Sequence, residues 1–508
     1  MTETLPVDGR SLTLEPFLAV VRKGCAVSLG AESRSAVASS RRAVERAVAS
    51  GRAIYGVTTG VGSLSDRPIP AADVRALQLG LVRSHASGSG AALPGEVVRA
   101  MVLLRLNSLA RGHSGVRPEL LDLLVEVLNR RLVPYVPTSG SVGASGDLAP
   151  LAHLALALLG EGEFIGRDGA RHPASEVLRA EGLVPLVLAE KEGVALVNGT
   201  SLMTAYLALA VEDARQLLAA AEIAAGLAFD ALQGRPEALD DRLGELKNLP
   251  EQRRVAAAMR ALLEGSQLAS PGQAYHGQDP YTLRCIPQVF AATELALDFA
   301  ARIVAAELNA VSDNPVVFEG DEFVSGGNFH GESLALALDT LGLAVHQVAA
   351  FSERRIARLI NPALNRGLPA FLASTAGLSS GFMIPQYLAA ALVNEGLTLV
   401  HPASAGSLPT SADQEDFVSM GPWAGAKLRH LLANAQTVVA VEWIVAGQGV
   451  ELRRPMAAGR GSEAALSALR QKVRPWSEDR SPAADIAAIA AQVADGSLVR
   501  RVRAQVPF

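Results

Sequence analysis

The sequence predicts a mostly α-helical protein, a long central helical bundle with a loop-rich N-terminal domain. Three observations carry this. Hydrophobic residues make up 49% of the 508 positions and charged ones only 19%, a balance that suits a large buried core. Aromatic residues are scarce at 4%, and Ala- and Leu-rich stretches dominate, which favours helix over sheet. From about Leu202 onward, apolar residues recur at helical spacing over segments longer than an ordinary globular helix.

Taken in chain order, residues 1–200 mix short helical segments with Gly-rich loops over 55–65, 86–92 and 138–147. The last of these runs into an apolar helix expected over 151–159. Residues 201–508 are expected to form the central bundle and a C-terminal helical region, with long helices over 202–232, 289–311, 334–359, 382–400 and 424–447. Several are apolar nearly all round, as at the centre of a bundle or between subunits. Polar residues concentrate in the loops between them: Gln278-Asp279-Pro280-Tyr281, Ser312-Asp313-Asn314-Pro315, Gly326-Gly327-Asn328-Phe329-His330 and Gln414-Glu415-Asp416. Each is either a turn or cap, or part of a site carried on a rigid helical scaffold.

Composition also excludes function classes. The formal charge of −5 is small for this length and gives no reason to expect nucleic acid or an anionic membrane as partner. No uninterrupted run of eighteen apolar residues occurs, so no membrane span is expected. Met1-Thr2-Glu3-Thr4 lacks the basic start of a signal peptide. Cys25 and Cys285 are the only cysteines, which fits a reducing, cytoplasmic setting, with Cys285 expected as a small buried hydrophobe. Nine histidines are scattered without metal-ligand spacing, so no metal is expected, and His330 reads as structural.

The segment Gly140-Ser141-Val142-Gly143-Ala144-Ser145-Gly146-Asp147-Leu148-Ala149-Pro150 is the most informative. One reading is an anion-binding turn at a helix N-terminus. The loop has no lysine for a nucleotide-binding P-loop, and Ser145 lacks the Gly-x-Ser-x-Gly frame of a hydrolase elbow. Small residues at 144 and 146 allow a rarer event. The Gly146 amide nitrogen can approach the Ala144 carbonyl carbon, loss of water closes a five-membered ring, and elimination of the Ser145 hydroxyl leaves an exocyclic methylidene.

Here the chain resembles the histidine and aromatic amino acid ammonia-lyase family, whose Ala-Ser-Gly segment forms 4-methylideneimidazole-5-one (MIO). Matching segments run in order from Tyr55-Gly56-Val57 and Ser84-His85-Ala86 through Asn107-Ser108-Leu109-Ala110, the Ala-Ser-Gly loop and Val197-Asn198-Gly199-Thr200. Asp279 to Cys285, Gly327-Asn328-Phe329-His330-Gly331 and Ser352-Glu353-Arg354-Arg355 follow.

The resemblance implies a site and a reaction. The Ser145-derived methylidene would capture the substrate amine and make it a better leaving group, which is covalent catalysis. Tyr55 would be the general base; free tyrosine titrates at about 10, so the pocket must stabilise its phenolate or supply a proton path. Tyr281 and Asn198 would orient the MIO ring oxygen and the substrate, and Arg284 would clamp the carboxylate with its two-pronged guanidinium. Asn328 and Phe329 would line the pocket. Asp147 either assists cyclisation by proton transfer or caps the helix that begins there. His85 and Glu415 resemble the histidine-specific members, Glu415 the more specifically, because a carboxylate facing a benzene ring would be costly to leave unpaired. The resemblance thus implies L-histidine as substrate, urocanate and ammonia as products, and a homotetramer whose sites draw on several subunits. Thr58, Val61, Gly80, Ser379, Asp413 and Phe417 depart from the usual histidine-enzyme pattern. The alternatives are a tyrosine or phenylalanine lyase, an aminomutase, a lyase of a modified histidine, and a non-catalytic homologue.

Overall fold

The computed structural model describes residues 4–269, 277–375 and 377–508. Residues 1–3, part of the segment read for a signal peptide, lie outside them. The expected mostly helical fold is found. All five long helices are present: Ser201–Ala231, Ile286–Glu307, Glu332–Ile360, Met383–Leu399 and Gly421–Glu451, each within about one turn of its sequence-derived bounds. Pro362 and Pro402 follow the ends of two of them, where the missing N–H forbids continuation.

The chain forms two compact units. Residues 1–209, 300–338 and 402–426 make the first; residues 210–299, 339–401 and 427–508 make the second. In the first unit, the helix Gly95–Ala110 is buried on almost every side, including Arg105 and Asn107. Three further helices, Val74–His85, Leu148–Leu158 and Glu192–Val197, pack against one another. This brings the C-terminal end of the first, the N-terminal end of the second and the C-terminal end of the third into one region. Two of the Gly-rich loops contain short strands: Ser89–Ala92 pairs antiparallel with Pro137–Ser139. That pairing fixes the approach to the Ala-Ser-Gly turn.

In the second unit, Trp443 is fully buried and its indole N–H donates a 2.8 Å hydrogen bond to the Ala220 carbonyl. Arg355 and Glu442 form a fully buried, two-pronged ion pair supported by Ser352. The helix Glu332–Ile360 is long and apolar enough to cross a membrane by length and composition, but 61% of its most apolar stretch is buried inside the protein. At its charged end, Glu353 and Arg355 are buried while Arg354 is exposed, and Glu353 accepts from Gln386 at 2.7 Å. Cys25 and Cys285 are both half-buried, so Cys285 is less enclosed than expected.

Candidate active site

The turn that carries Tyr55 is built by local hydrogen bonding. The Ile54 carbonyl accepts from the amides of Val57, Thr58 and Thr59. Thr58 closes it, accepting from Ile54 N at 2.8 Å and donating to the Arg52 carbonyl at 2.6 Å. Beneath, Ala43, Val44, Ala47, Ile54, Val57 and Val317 form a buried apolar cluster. Half-buried Tyr55 projects from this footing, and the Gly62 amide donates a 2.9 Å hydrogen bond to its phenolic oxygen. A donor there stabilises negative charge on that oxygen.

The Ala144-Ser145-Gly146 turn is clasped against Gly199. The Gly199 amide donates to the Ser145 carbonyl at 3.2 Å, and the Asp147 amide donates to the Gly199 carbonyl at 2.7 Å. Gly146 has φ +77°, and a Cβ there would lie 2.2 Å from the Gly199 carbonyl oxygen, so no side chain fits. Asp147, expected as a possible cap for the helix Leu148–Leu158, makes no such cap. It caps a different helix instead. Its Oδ2 accepts from the amides of Leu202 at 2.7 Å and Met203 at 3.1 Å, at the start of Ser201–Ala231. Complete burial pushes its carboxyl up to about 7, against the pull of those two amides and of Arg105. Its Oδ1 has no hydrogen-bond partner among the described residues.

A cavity of about 220 Å³ opens beside this turn. Six residues singled out in the sequence line it together: Tyr55, His85, Ser145, Asn198, Phe329 and Glu415. Ser145 Oγ lies 3.4 Å from Glu415 Oε1, and the other Glu415 oxygen accepts from Thr410 Oγ1 at 2.8 Å. His85 Nδ1 sits 3.1 Å from Ser84 Oγ. Burial lowers the pKa of His85, opposed by the Leu81 carbonyl and the charge of Glu415. Asn198 is 5% exposed; its amide donates to the Asn314 carbonyl at 3.3 Å, and its own carbonyl accepts from fully buried Arg105. Nearby, Lys191 and Asp313 form a buried ion pair at 2.7 Å. Val61, Leu64, Leu81, Leu148, Val194 and Val197 supply the apolar walls.

Sequence reasoning missed Gly62, Ser411 and Thr410, and placed Asn314 only in a polar loop. No motif marks them: Gly62 acts through its backbone amide, and Thr410 through a hydroxyl that reaches Glu415 across a turn. Asn328 is exposed and its amide donates to the Val311 carbonyl at 3.3 Å; it does not line the cavity.

Tyr281 and Arg284 do not line this cavity within the single chain. They belong to the second unit, where they border a separate cavity of about 590 Å³ with Arg235, Asp279 and Cys285. Tyr281 is 67% exposed, and the Arg284 guanidinium lies 4.7 Å over its ring. Their loop is anchored by Asp279, which accepts from the Arg235 amide at 2.6 Å and pairs with Arg366 at 2.5 Å. Among the described residues, no group of three or more His, Cys, Asp or Glu is arranged to hold a metal ion.

The sequence profile of the family described as aromatic amino acid lyase matches residues 12–471. The chain belongs to that family. It is therefore a carbon–nitrogen lyase by family. A histidine ammonia-lyase of Symbiobacterium thermophilum is 49% identical over 98% of this chain and 98% of its own length. A solved histidine ammonia-lyase from Trypanosoma cruzi is similar at a TM-score of 0.92, 38% identical, covering 99% of this chain and 96% of that one. A tyrosine aminomutase from Streptomyces globisporus is similar at 0.94, 36% identical, covering 100% and 99%. For this lyase, the six departures from the histidine-enzyme pattern can now be located. Only Val61 lines the Ser145 cavity. Thr58 turns its hydroxyl to backbone, Phe417 stacks on His330 at 6.1 Å, and Gly80, Ser379 and Asp413 are not among the lining residues.

Proposed function

We propose that this lyase eliminates ammonia from L-histidine to give urocanate, using an MIO electrophile formed from Ala144, Ser145 and Gly146. The observation that carries the substrate is the Glu415 carboxylate within 3.4 Å of Ser145 in one small cavity that His85 also lines. An imidazole offers a ring N–H to a carboxylate, whereas a phenyl or phenol ring would leave that charge against carbon. The histidine ammonia-lyases among the relatives support the same substrate.

The residues present fit the cofactor. The chain at Gly146 leaves room for a backbone atom and for no Cβ, Ala144 is small, and the N-terminus of Leu148–Leu158 lies directly behind the turn. When formed, MIO supplies an electrophilic carbon for the substrate amine. The other work falls to side chains. Tyr55, with its oxygen held by the Gly62 amide, takes the β-proton. Glu415, held by Thr410, orients the imidazole. Asn198 holds the far wall through its bond to Asn314.

Tyr281 and Arg284 complete the site from another copy of the chain in a homotetramer. The exposure of Tyr281 and the absence of both residues from the Ser145 cavity support this arrangement. So do large apolar residues left exposed on the long helices, among them Leu295, Leu343, Ile384, Tyr387 and Leu397. Arg284 would then clamp the substrate carboxylate. The reading includes a cytoplasmic location, in keeping with a chain that holds only two cysteines.

The test is to incubate purified enzyme separately with L-histidine, L-tyrosine and L-phenylalanine, following ultraviolet absorbance and free ammonia. Urocanate and ammonia from histidine alone are expected. A cinnamate-type product, or a β-amino acid without ammonia, from another substrate would overturn the assignment.

A further inference from the structure

The second unit contains a cavity of about 300 Å³ that shares no residue with either cavity described above. Four helices contribute to it. Ser201–Ala231 presents Arg215, Leu218, Ala219 and Glu222, spaced to lie on one helical face. Pro250–Leu262 contributes Arg254, Ile286–Glu307 contributes Glu294, Leu297 and Asp298, and Ser497–Arg503 contributes Arg503.

The charges in this cavity are incompletely matched. Arg254 and Glu294 form an ion pair. Arg503 lies 5.0 Å over the ring of Phe508, and Arg215 is exposed to the cavity mouth. Glu222 is only 6% exposed and makes no hydrogen bond or ion pair to any described residue. A buried carboxyl without a partner is costly, and burial beside Glu294 pushes Glu222 up to about 8 despite Arg254 and Arg503. The lining therefore holds three carboxyl groups, Glu222 among them protonated, and three guanidiniums, with the buried carboxyl at depth, the Arg215 and Arg503 guanidiniums toward the outside and a short apolar wall of Leu218, Ala219 and Leu297.

We propose that this cavity binds a free α-amino acid as a zwitterion, at a site separate from the one where elimination occurs. The ammonium group would meet Glu222 directly, where Arg254 and Arg503 act only at a distance. The carboxylate would meet Arg215 and Arg503, whose guanidinium forks suit it. An incoming ammonium would displace the proton that Glu222 holds, so that three carboxylates then face three guanidiniums; this lining favours a ligand of both signs over a simple anion or cation, because each unmatched charge would be left desolvated.

The experiment is calorimetric titration of the intact enzyme with L-alanine and L-leucine, and with the half-ligands ethylammonium and propionate. The expected result is saturable binding of an amino acid at least about tenfold tighter than either half-ligand, the effect of one added charged hydrogen bond. Glu222→Gln and Arg215→Met should each weaken it by about tenfold or more while kcat and KM for histidine elimination stay unchanged without added effector. Arg215 is exposed, so its variant reads the site even where Glu222→Gln perturbs packing. Amino acids that bind no better than the half-ligands, or with equal affinity to both variants, would overturn the proposal, as would no binding up to about 20 mM.

Discussion

Glu415 is held at one oxygen by Thr410, while the other points toward the position of Ser145, where cofactor formation removes the hydroxyl and leaves that oxygen for a substrate. Replacing it by glutamine keeps the shape and removes the charge. Loss of one charged hydrogen bond predicts a fall in kcat/KM for L-histidine of about 10- to 100-fold, measured by steady-state kinetics. Activity within twofold of wild type would show that Glu415 does not hold the imidazole. Much of this was legible at the residue scale. Tyr55, His85, Ser145, Asn198, Phe329 and Glu415 were picked from motifs spread over more than three hundred positions, and they line one cavity. What was not legible was how each is held. Thr410 and Gly62 act through contacts set by backbone path, and neither residue type announces such a role. Thr58 departs from the histidine-enzyme pattern, and its hydroxyl ties the Tyr55 turn together.

At the scale of elements, the Ala-Ser-Gly turn is held by what lies beyond it. Asp147 ties the start of Leu148–Leu158 to the start of Ser201–Ala231, through the amides of Leu202 and Met203. Asp147→Ala leaves two buried amide donors unpaired and should cost about 2 kcal/mol or more in folding stability, read from denaturant unfolding. An unchanged midpoint would mean that the cap carries no weight. The sequence offered Asp147 as a proton-transfer group or as a cap for the adjacent helix; it caps a distant one, because capping rules read local spacing and this cap spans more than fifty residues. The long helices were recovered from periodicity, since Ala- and Leu-rich stretches with helical spacing favour helix over strand. The short strands within the Gly-rich loops were not, being three or four residues long and defined by pairing.

Across the whole molecule, residues far apart in sequence share a unit: 300–338 and 402–426 belong with 1–209. No local pattern encodes that return, and it is what brings Asn314, Phe329 and Glu415 to the turn at Ser145. Buried acids also shape the response to pH. Glu222 is raised from an ordinary 4.5 to about 8, so the folded protein holds a proton that the unfolded chain has lost. That stabilisation is complete below about pH 4.5 and is lost as pH rises through about 8. Glu222→Gln should therefore gain stability relative to wild type as pH is raised from about 5 to about 9, followed by denaturant unfolding at each pH. A difference independent of pH would contradict the buried, unpaired state of this carboxyl.

The claim that ties these scales together is that Ala144, Ser145 and Gly146 become the electrophile. Intact-protein mass spectrometry tests it most directly. Wild type should weigh two waters less than its sequence, one lost in ring closure and one from the Ser145 side chain, and Ser145→Ala should not form the methylidene and should lose activity by about a thousandfold or more. A wild-type chain at its full sequence mass that still converts L-histidine would contradict the account.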